Sequence, residues 1–192
     1  MTNYVSQDNF DQVTQKALDV VRKRIPDPTH KTSRVKLEIT HRDDVDAVFL
    51  LAQPQVARQI VPLLKFYAGD VPIYTISTIY SGNPNTVLDQ DLNGVFFCDL
   101  HWVIKNPFNL SPRLQAIRNQ IMTLWPDFAG YTKFYALGID AYLIAMSLNK
   151  LAHSPETTLD GATGELHLDR FNHIYRTLDW TQMQQGSPLV VN

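Results

Sequence analysis

The stretch YTKFYALGIDAYLIAMSLNKLAH, residues 131–153, constrains this chain more than any other. Tyr131, Phe134, Tyr135, Leu137, Ile139, Tyr142, Leu143, Ile144, Met146, Leu148 and Leu151 recur at helical spacing and on more than one face, so the pattern predicts a long helix enclosed by partners on both sides. At ~1.5 Å of rise per residue such a helix spans about 33 Å, the width of a small domain. Pro126 and Asp127 mark its approach, and Asn149, Lys150 and His153 set polar and basic groups near its end, where the helix dipole favours them. Lys133 and Asp140 interrupt the apolar run, which rules out reading it as a membrane span.

A chain of 192 residues can bury one good core or form two small lobes. Seventeen basic residues against nineteen acidic ones leave a net charge of -2, so there is no electrostatic case for a nucleic-acid partner. The single cysteine, Cys98, excludes an internal disulfide and a cysteine zinc site. It fits a reducing compartment or a periplasmic protein without disulfides. The opening residues MTNYVSQDNF show neither a basic cap nor an apolar run, so the expectation is either a cytoplasmic protein or a piece of a longer chain.

Taken in order, Phe10, Val13, Ala17, Val20, Val21 and Ile25 predict a helix over 9–25, capped by Asp8 and stopped by the PDPTH stretch at 26–30. Val35, Leu37 and Ile39 alternate with Lys36 and Glu38, the pattern of a half-exposed strand near a sheet edge. DAVFLLA at 46–52 is a continuous apolar run, as expected of a parallel strand covered on both faces and lying at the sheet's centre. A helix from Pro54 to Tyr67, kinked at Pro62, leads to a strand at 71–77, which makes a βαβ unit with a right-handed crossover. VFFCDL at 95–100 is a third strand, and Ser111 and Pro112 open a helix with Leu114, Ile117, Ile121 and Trp125 on one face. Beyond the long helix, turns at 159–164 and 184–188 separate short strands at 165–168, 174–178 and 189–191, which predicts one small antiparallel meander.

The sequence has no GxGxxG, Walker loop, GxSxG, HExxH or CxxC, and calls for no cofactor. His167, Asp169 and His173 are read as a solvated strand face in preference to a metal site, and His41 to Asp44 as a charged loop. Cys98 is read as a core strand residue. Asp140 stands in an apolar helix, where a carboxylate must be hydrogen-bonded, paired or protonated, and a structural bond to a nearby loop is expected. Ligands of an open parallel sheet collect beyond the carboxyl ends of its strands, which here makes Gln53, Ser77, Thr78, Tyr80, Asp99 and His101 the expected cleft rim. That rim contains hydroxyl, amide, carboxylate and imidazole groups but no cationic anchor, which disfavours a phosphate or free carboxylate ligand.

GIDAYLIAMSLNKL (138–151), LDGATGELHLD (159–169) and QQGSPLVV (184–191) resemble the C-terminal passage of type I periplasmic-binding-protein domains. In that passage a helix beginning around an Asp-Ala pair leads to a Gly-x-Thr-Gly turn and a final hairpin. Asp140 and Ala141, with Gly161, Thr163 and Gly164, stand at the matching positions, and a structural role is expected of Asp140 and these turn residues. DAVFLLAQPQVARQIVPLL (46–64), PIYTIST (72–78), DLNGVFFCDLHW (91–102) and FYALGIDAY (134–142) are similar to the C-terminal domain of the LpoA/LppC lipoproteins. The resemblance covers nearly all of 46–191. Two departures stand out: His101 occupies a place where proline is expected, and these 192 residues contain no lipobox, helical N-terminal domain or front part of the binding-protein fold.

The resemblance implies an α/β chain of the type I periplasmic-binding-protein kind, mostly one lobe with a parallel sheet flanked by helices, plus a long crossover helix and a C-terminal antiparallel hairpin. As domains it implies one partial unit over 1–192, with an α/β lobe at 1–128, the crossover helix at 129–153 and returning β-strands at 154–192. It further implies a periplasmic, outer-membrane-anchored, non-enzymatic regulator of peptidoglycan synthesis. Its partner would be a class A penicillin-binding protein, with the membrane reached only through a lipid anchor outside this chain. The alternatives are a periplasmic solute-binding protein delivering amino acids or peptides to a transporter, and an α/β enzyme using Asp99 or Asp140 as acid or base. Because the sheet of the second lobe is not encoded, the long helix is expected to show an apolar accessible face or to form a homodimer through it.

Overall fold

Asn9 starts the first helix, α1 (Phe10–Ala17), by accepting the amide hydrogens of Asp11 and Gln12 on its side-chain oxygen. In this computed structural model, residues 9–26, 35–40, 44–83, 85–126, 131–154 and 156–191 are described, with backbone alone for 22, 24–26, 35–40 and 107. The expected cap at Asp8, the stop beyond Pro26, the charged loop at 41–43 and Asp127 lie outside these residues.

The helix expected to run to Ile25 ends at Ala17. Asp19 takes a left-handed conformation (φ 51°), and the chain then extends as β1 (Val21–Pro26). That strand pairs antiparallel with β2 (Val35–Thr40), Val21 facing Thr40, in a two-stranded ribbon apart from the main sheet. Val20, Val21 and Ile25 do fit helical spacing, but β-branched residues also favour a strand, and cross-strand pairing decided between the two.

The main sheet begins with β3 (Val48–Leu50) and crosses through α2 (Pro54–Ala68) to β4 (Ile73–Thr75), parallel to β3 with Val48 beside Ile73. 3-10 turns at Ser77–Ile79 and Leu88–Leu92 lead to β5 (Phe96–Asp99), parallel to β4. The short helix α3 (His101–Ile104) follows at once, then a 3-10 turn at Pro107–Asn109, α4 (Pro112–Leu124) and the long helix α5 (Thr132–His153). Strands β6 (Leu159–Asp160), β7 (Glu165–Leu168) and β8 (Ile174–Thr177) make a separate antiparallel sheet. The last two, β9 (Asp179–Gln184) and β10 (Ser187–Val190), join the main sheet, whose order is β10-β9-β5-β4-β3.

Two expectations are corrected by this order. The run at 46–52 forms the outer strand of the sheet, not its centre, and Phe49 is 80% exposed. A continuous apolar run looks alike in a two-sided central strand and in an outer strand with one apolar face bare. The tail is not one meander either: β9 pairs antiparallel with β5, Phe97 facing Thr181, because the alternating Thr181 and Met183 side chains bury themselves with Phe97.

One face of the sheet carries the main core, built from Leu50, Ile73, Phe97 and Met183 against Ile60, Val61 and Leu64 of α2. The opposite face carries Phe49, Tyr74, Phe96 and Trp180 as a row of neighbouring rings 5.4–6.0 Å apart. A second core gathers Trp102, Leu114, Ile121, Ala136, Leu143 and Ala162 where α3, α4 and α5 meet.

The long helix is not enclosed. Thr132, Ala136, Asp140, Leu143 and Leu151 form its buried stripe, while Tyr131, Phe134, Leu137, Tyr142, Met146 and Leu148 are exposed. Lys150 and His153 stand in its last turn. No helix among the described residues is long and apolar enough to cross a membrane.

Candidate functional site

Strand alternation sends Asp99 to the same side as Phe97, so the carboxylate at the end of β5 points into the protein and is fully buried. Its Oδ1 accepts the Leu100 amide hydrogen at 2.8 Å, and its Oδ2 accepts from Lys133 Nζ at 2.7 Å. The same ammonium donates to the Ser77 carbonyl at 2.7 Å. The ends of β4 and β5 are thus tied to the first turn of α5. Burial holds the Asp99 pKa above its ordinary value, and the Lys133 charge and hydrogen bond offset only part of that rise.

The rim residues divide into three groups. Gln53 and Thr78 are exposed, Gln53 serving α2 through its carbonyl and Thr78 reaching the Ala52 carbonyl at 3.4 Å. Ser77 and Asp99 hold the Lys133 ammonium, while Tyr80 is buried, its phenol pushed above its ordinary pKa by burial and by the Asp89 and Asp99 charges. His101 is buried and belongs to a neighbouring cluster. Its Nε2 lies 3.1 Å from Asp179 Oδ2, and Lys105 Nζ is 3.0 Å from the same atom. Burial and the Lys105 charge hold the His101 pKa below its ordinary value, against the pull of Asp179.

The expectation of a rim without a cation is therefore overturned by Lys133 and Lys105. Lys133 is 34 residues from Asp99 in sequence, and only the return of α5 across the strand ends brings it there. Asp179 arrives the same way, through the Asp99–Asp179 register of β5 and β9. No local motif could have shown either.

Asp140 closes a second polar junction. It is 2% exposed, and its Oδ1 accepts the Ala162 amide hydrogen at 2.6 Å. Its Oδ2 accepts the Thr163 amide hydrogen at 2.8 Å and the Thr163 hydroxyl. The Trp102 amide donates to the Ala162 carbonyl at 2.8 Å, so the 160–164 turn is gripped from both α5 and α3. A Cβ at Gly161 would fall 2.8 Å from Asp140 Oδ2 and from the Gly164 carbonyl, and one at Gly164 would fall 2.5 Å from the Thr177 carbonyl. Asp140, Gly161, Thr163 and Gly164 thus meet at one junction.

Beside these junctions, α4 and α5 enclose an open groove of ≈ 670 Å³ lined by Ile117, Ile121, Trp125, Tyr131, Phe134, Tyr135, Gly138, Ile139 and Tyr142. Every side chain there is apolar or aromatic. His167 instead stacks on Tyr175, and His173 pairs with Asp169 at 3.3 Å. Among the described residues no group of three or more His, Cys, Asp or Glu side chains is placed to hold a metal.

Comparison with known proteins places these features. A family model described as LppC putative lipoprotein matches residues 27–186. The Penicillin-binding protein activator LpoA of Klebsiella pneumoniae is 26% identical over 155 residues, covering 79% of this chain and 21% of the relative. The LpoA (YraM) C-domain from Haemophilus influenzae, described as a regulator of PBP1A, superposes with a TM-score of 0.58 at 26% identity, over 79% of this chain and 46% of that one. A putative branched-chain amino acid ABC transporter from Rhodospirillum rubrum shares the fold, with a TM-score of 0.51 at 16% identity over 76% of this chain and 44% of that one. The chain spans about a fifth of the curated relatives it matches. Its fold is that of the periplasmic-binding-protein-like LpoA domains, a mostly parallel sheet with helices and a C-terminal antiparallel addition.

Proposed function

Because this chain belongs to the LppC lipoprotein family, we propose that it is a non-catalytic regulator of peptidoglycan synthesis that activates a class A penicillin-binding protein by contact. The relatives named as penicillin-binding protein activators support this reading. So does the open apolar face of α4 and α5, the observation that carries it here: Phe134 is 73% exposed and Met146 68% on a helix that presents aromatic rings to solvent. Binding that favours the active conformation of the synthase is the physical minimum for activation. The work would be done in the periplasm, at the outer membrane, by one binding-protein-like domain.

Purified synthase is assayed for glycan polymerisation with and without this protein. Stimulation that is lost in the Phe134→Ser/Met146→Ser variant is the expected result; equal rates with and without the protein overturn the proposal. The same face could instead seat a second copy, and sedimentation of the protein alone tests that use. The solute-binding reading has less support, since Asp99 and Ser77 at the strand ends are already engaged by Lys133.

A further inference from the structure

The Asp99 carboxylate is fully buried, whereas the Lys133 side chain that reaches it is 30% exposed. The acid lies at the bottom of the junction, and the ammonium approaches from the solvent side. Each acceptor has its own duty. Oδ1 is satisfied by the Leu100 amide, which leaves Oδ2 and the Ser77 carbonyl converging on one nitrogen, each at 2.7 Å. A carboxylate oxygen and a carbonyl oxygen around one nitrogen suit the N–H donors of a primary ammonium, which offers three in tetrahedral array and accepts none. An uncharged occupant would leave a buried carboxylate without its counter-charge, an expensive arrangement.

We propose that the carboxyl end of the sheet is a primary-ammonium site which the chain fills with its own Lys133, an internal ligand that fastens α5 to β4 and β5. Shortening Lys133 empties the site, and a small free alkylammonium then takes it. Uptake of a free amine by the native chain is blocked for the same reason. This inference stands apart from the synthase-activation proposal, because it concerns only groups within the chain.

The test is thermal melting of the native protein and of Lys133→Ala in ethylammonium chloride, against sodium chloride and tetramethylammonium chloride at equal ionic strength. The variant should melt below the native protein. Ethylammonium should restore at least half of the lost melting temperature in a saturable way, leave the native protein unmoved, and lose its effect in Lys133→Ala/Asp99→Asn. Tetramethylammonium, which has no N–H, should restore nothing. No rise with ethylammonium, an equal rise in the native protein, or an equal rise with tetramethylammonium overturns the proposal. Should Lys133→Ala fail to fold, urea unfolding of Lys133→Met, Asp99→Asn and the double variant decides. Strong non-additivity, with the double variant more stable than Lys133→Met, supports the site, and additive losses overturn it.

Discussion

Replacing Asp140 by Asn is the sharpest test of how α5 is held. The carboxylate accepts two backbone N–H groups and one hydroxyl, all buried. Asn keeps the shape but has one acceptor oxygen. If that oxygen takes the place of Oδ2 and keeps both Thr163 donors, the amide nitrogen faces the Ala162 N–H, donor against donor. One charge-assisted bond, worth roughly 1.5–3 kcal/mol, is lost, and the remaining two become neutral and weaker, so the expected cost is about 3 kcal/mol. Asp140→Ala strands all three donors, at roughly 1–3 kcal/mol each before relaxation, so about 4 kcal/mol is expected, near the upper end for single substitutions. For a chain of this size ~3 kcal/mol lowers the melting temperature by roughly 6–12 °C. Urea unfolding followed by circular dichroism gives the free energy, and hydrogen exchange at the Ala162 and Thr163 amides gives the local effect. An Asn variant within about 0.5 kcal/mol of the native protein, the range of an ordinary surface change, would refute the reasoning.

Arg58 donates through Nε and a terminal nitrogen to Oδ1 of Asp89, a 1% exposed carboxylate, at 3.1 and 2.7 Å. Arg58→Ala leaves that charge buried and should cost about 3–5 kcal/mol in urea unfolding, with Asp89→Asn in the same chain returning part of it. His101 titrates below its ordinary value of 6.5, mainly through burial and then the Lys105 charge. The folded state therefore binds fewer protons than the unfolded one. Its contribution to stability is present above pH 6.5 and is lost as the pH falls through the lowered folded value. His101→Gln should flatten the loss of the urea midpoint between about pH 7 and 5, and an unchanged pH profile counts against this. Gly161→Ala forces a methyl against Asp140, Gly164 and Leu166, and should cost about 1–3 kcal/mol by calorimetry, the usual price of overpacking. Phe134→Ser and Met146→Ser, by contrast, should each change stability by less than about 0.5 kcal/mol while lowering synthase stimulation.

Much of the fold was legible because its signals are local. Pro54 at the start of α2, the β-branched Ile73 and Thr75, and the Ser111-Pro112 opening of α4 each act within a few residues. The parallel order of β3, β4 and β5 followed from the βαβ spacing. What could not be read was set by partners distant in sequence. The pairing of β9 with β5, the outer place of β3 and the arrival of Lys133 at Asp99 all depend on which segments meet. At the candidate site the strand ends themselves were legible, but the cation that reaches them was not. For Asp140, by contrast, apolar surroundings alone demanded a hydrogen-bonded partner, and the turn at 161–164 meets that demand.

The two polar junctions also explain how α5 can present an apolar face and still have one orientation. A helix with Phe134, Leu137, Tyr142 and Met146 outside and Ala136, Leu143 and Leu151 inside is apolar nearly all round, so burial of apolar area discriminates weakly between its faces. Lys133 and Asp140 are seven residues apart, two turns of helix, and so lie on the same side. Each has partners only where that side faces inward: Ser77 and Asp99 for Lys133, Ala162 and Thr163 for Asp140. Turning α5 by half a revolution would gain little apolar burial and would leave Asp99 and the Ala162 and Thr163 amides without their counterparts. Polar pairing therefore fixes which face turns outward, and the outward face is an apolar one. A Lys133→Met/Asp140→Leu variant should accordingly keep its helix content while the packing around α5 loses uniqueness. The expected signature is a retained far-ultraviolet circular dichroism spectrum with broadened side-chain resonances for Leu143 and Trp102. Sharp, native-like resonances in that variant would show that apolar packing alone sets the orientation of α5.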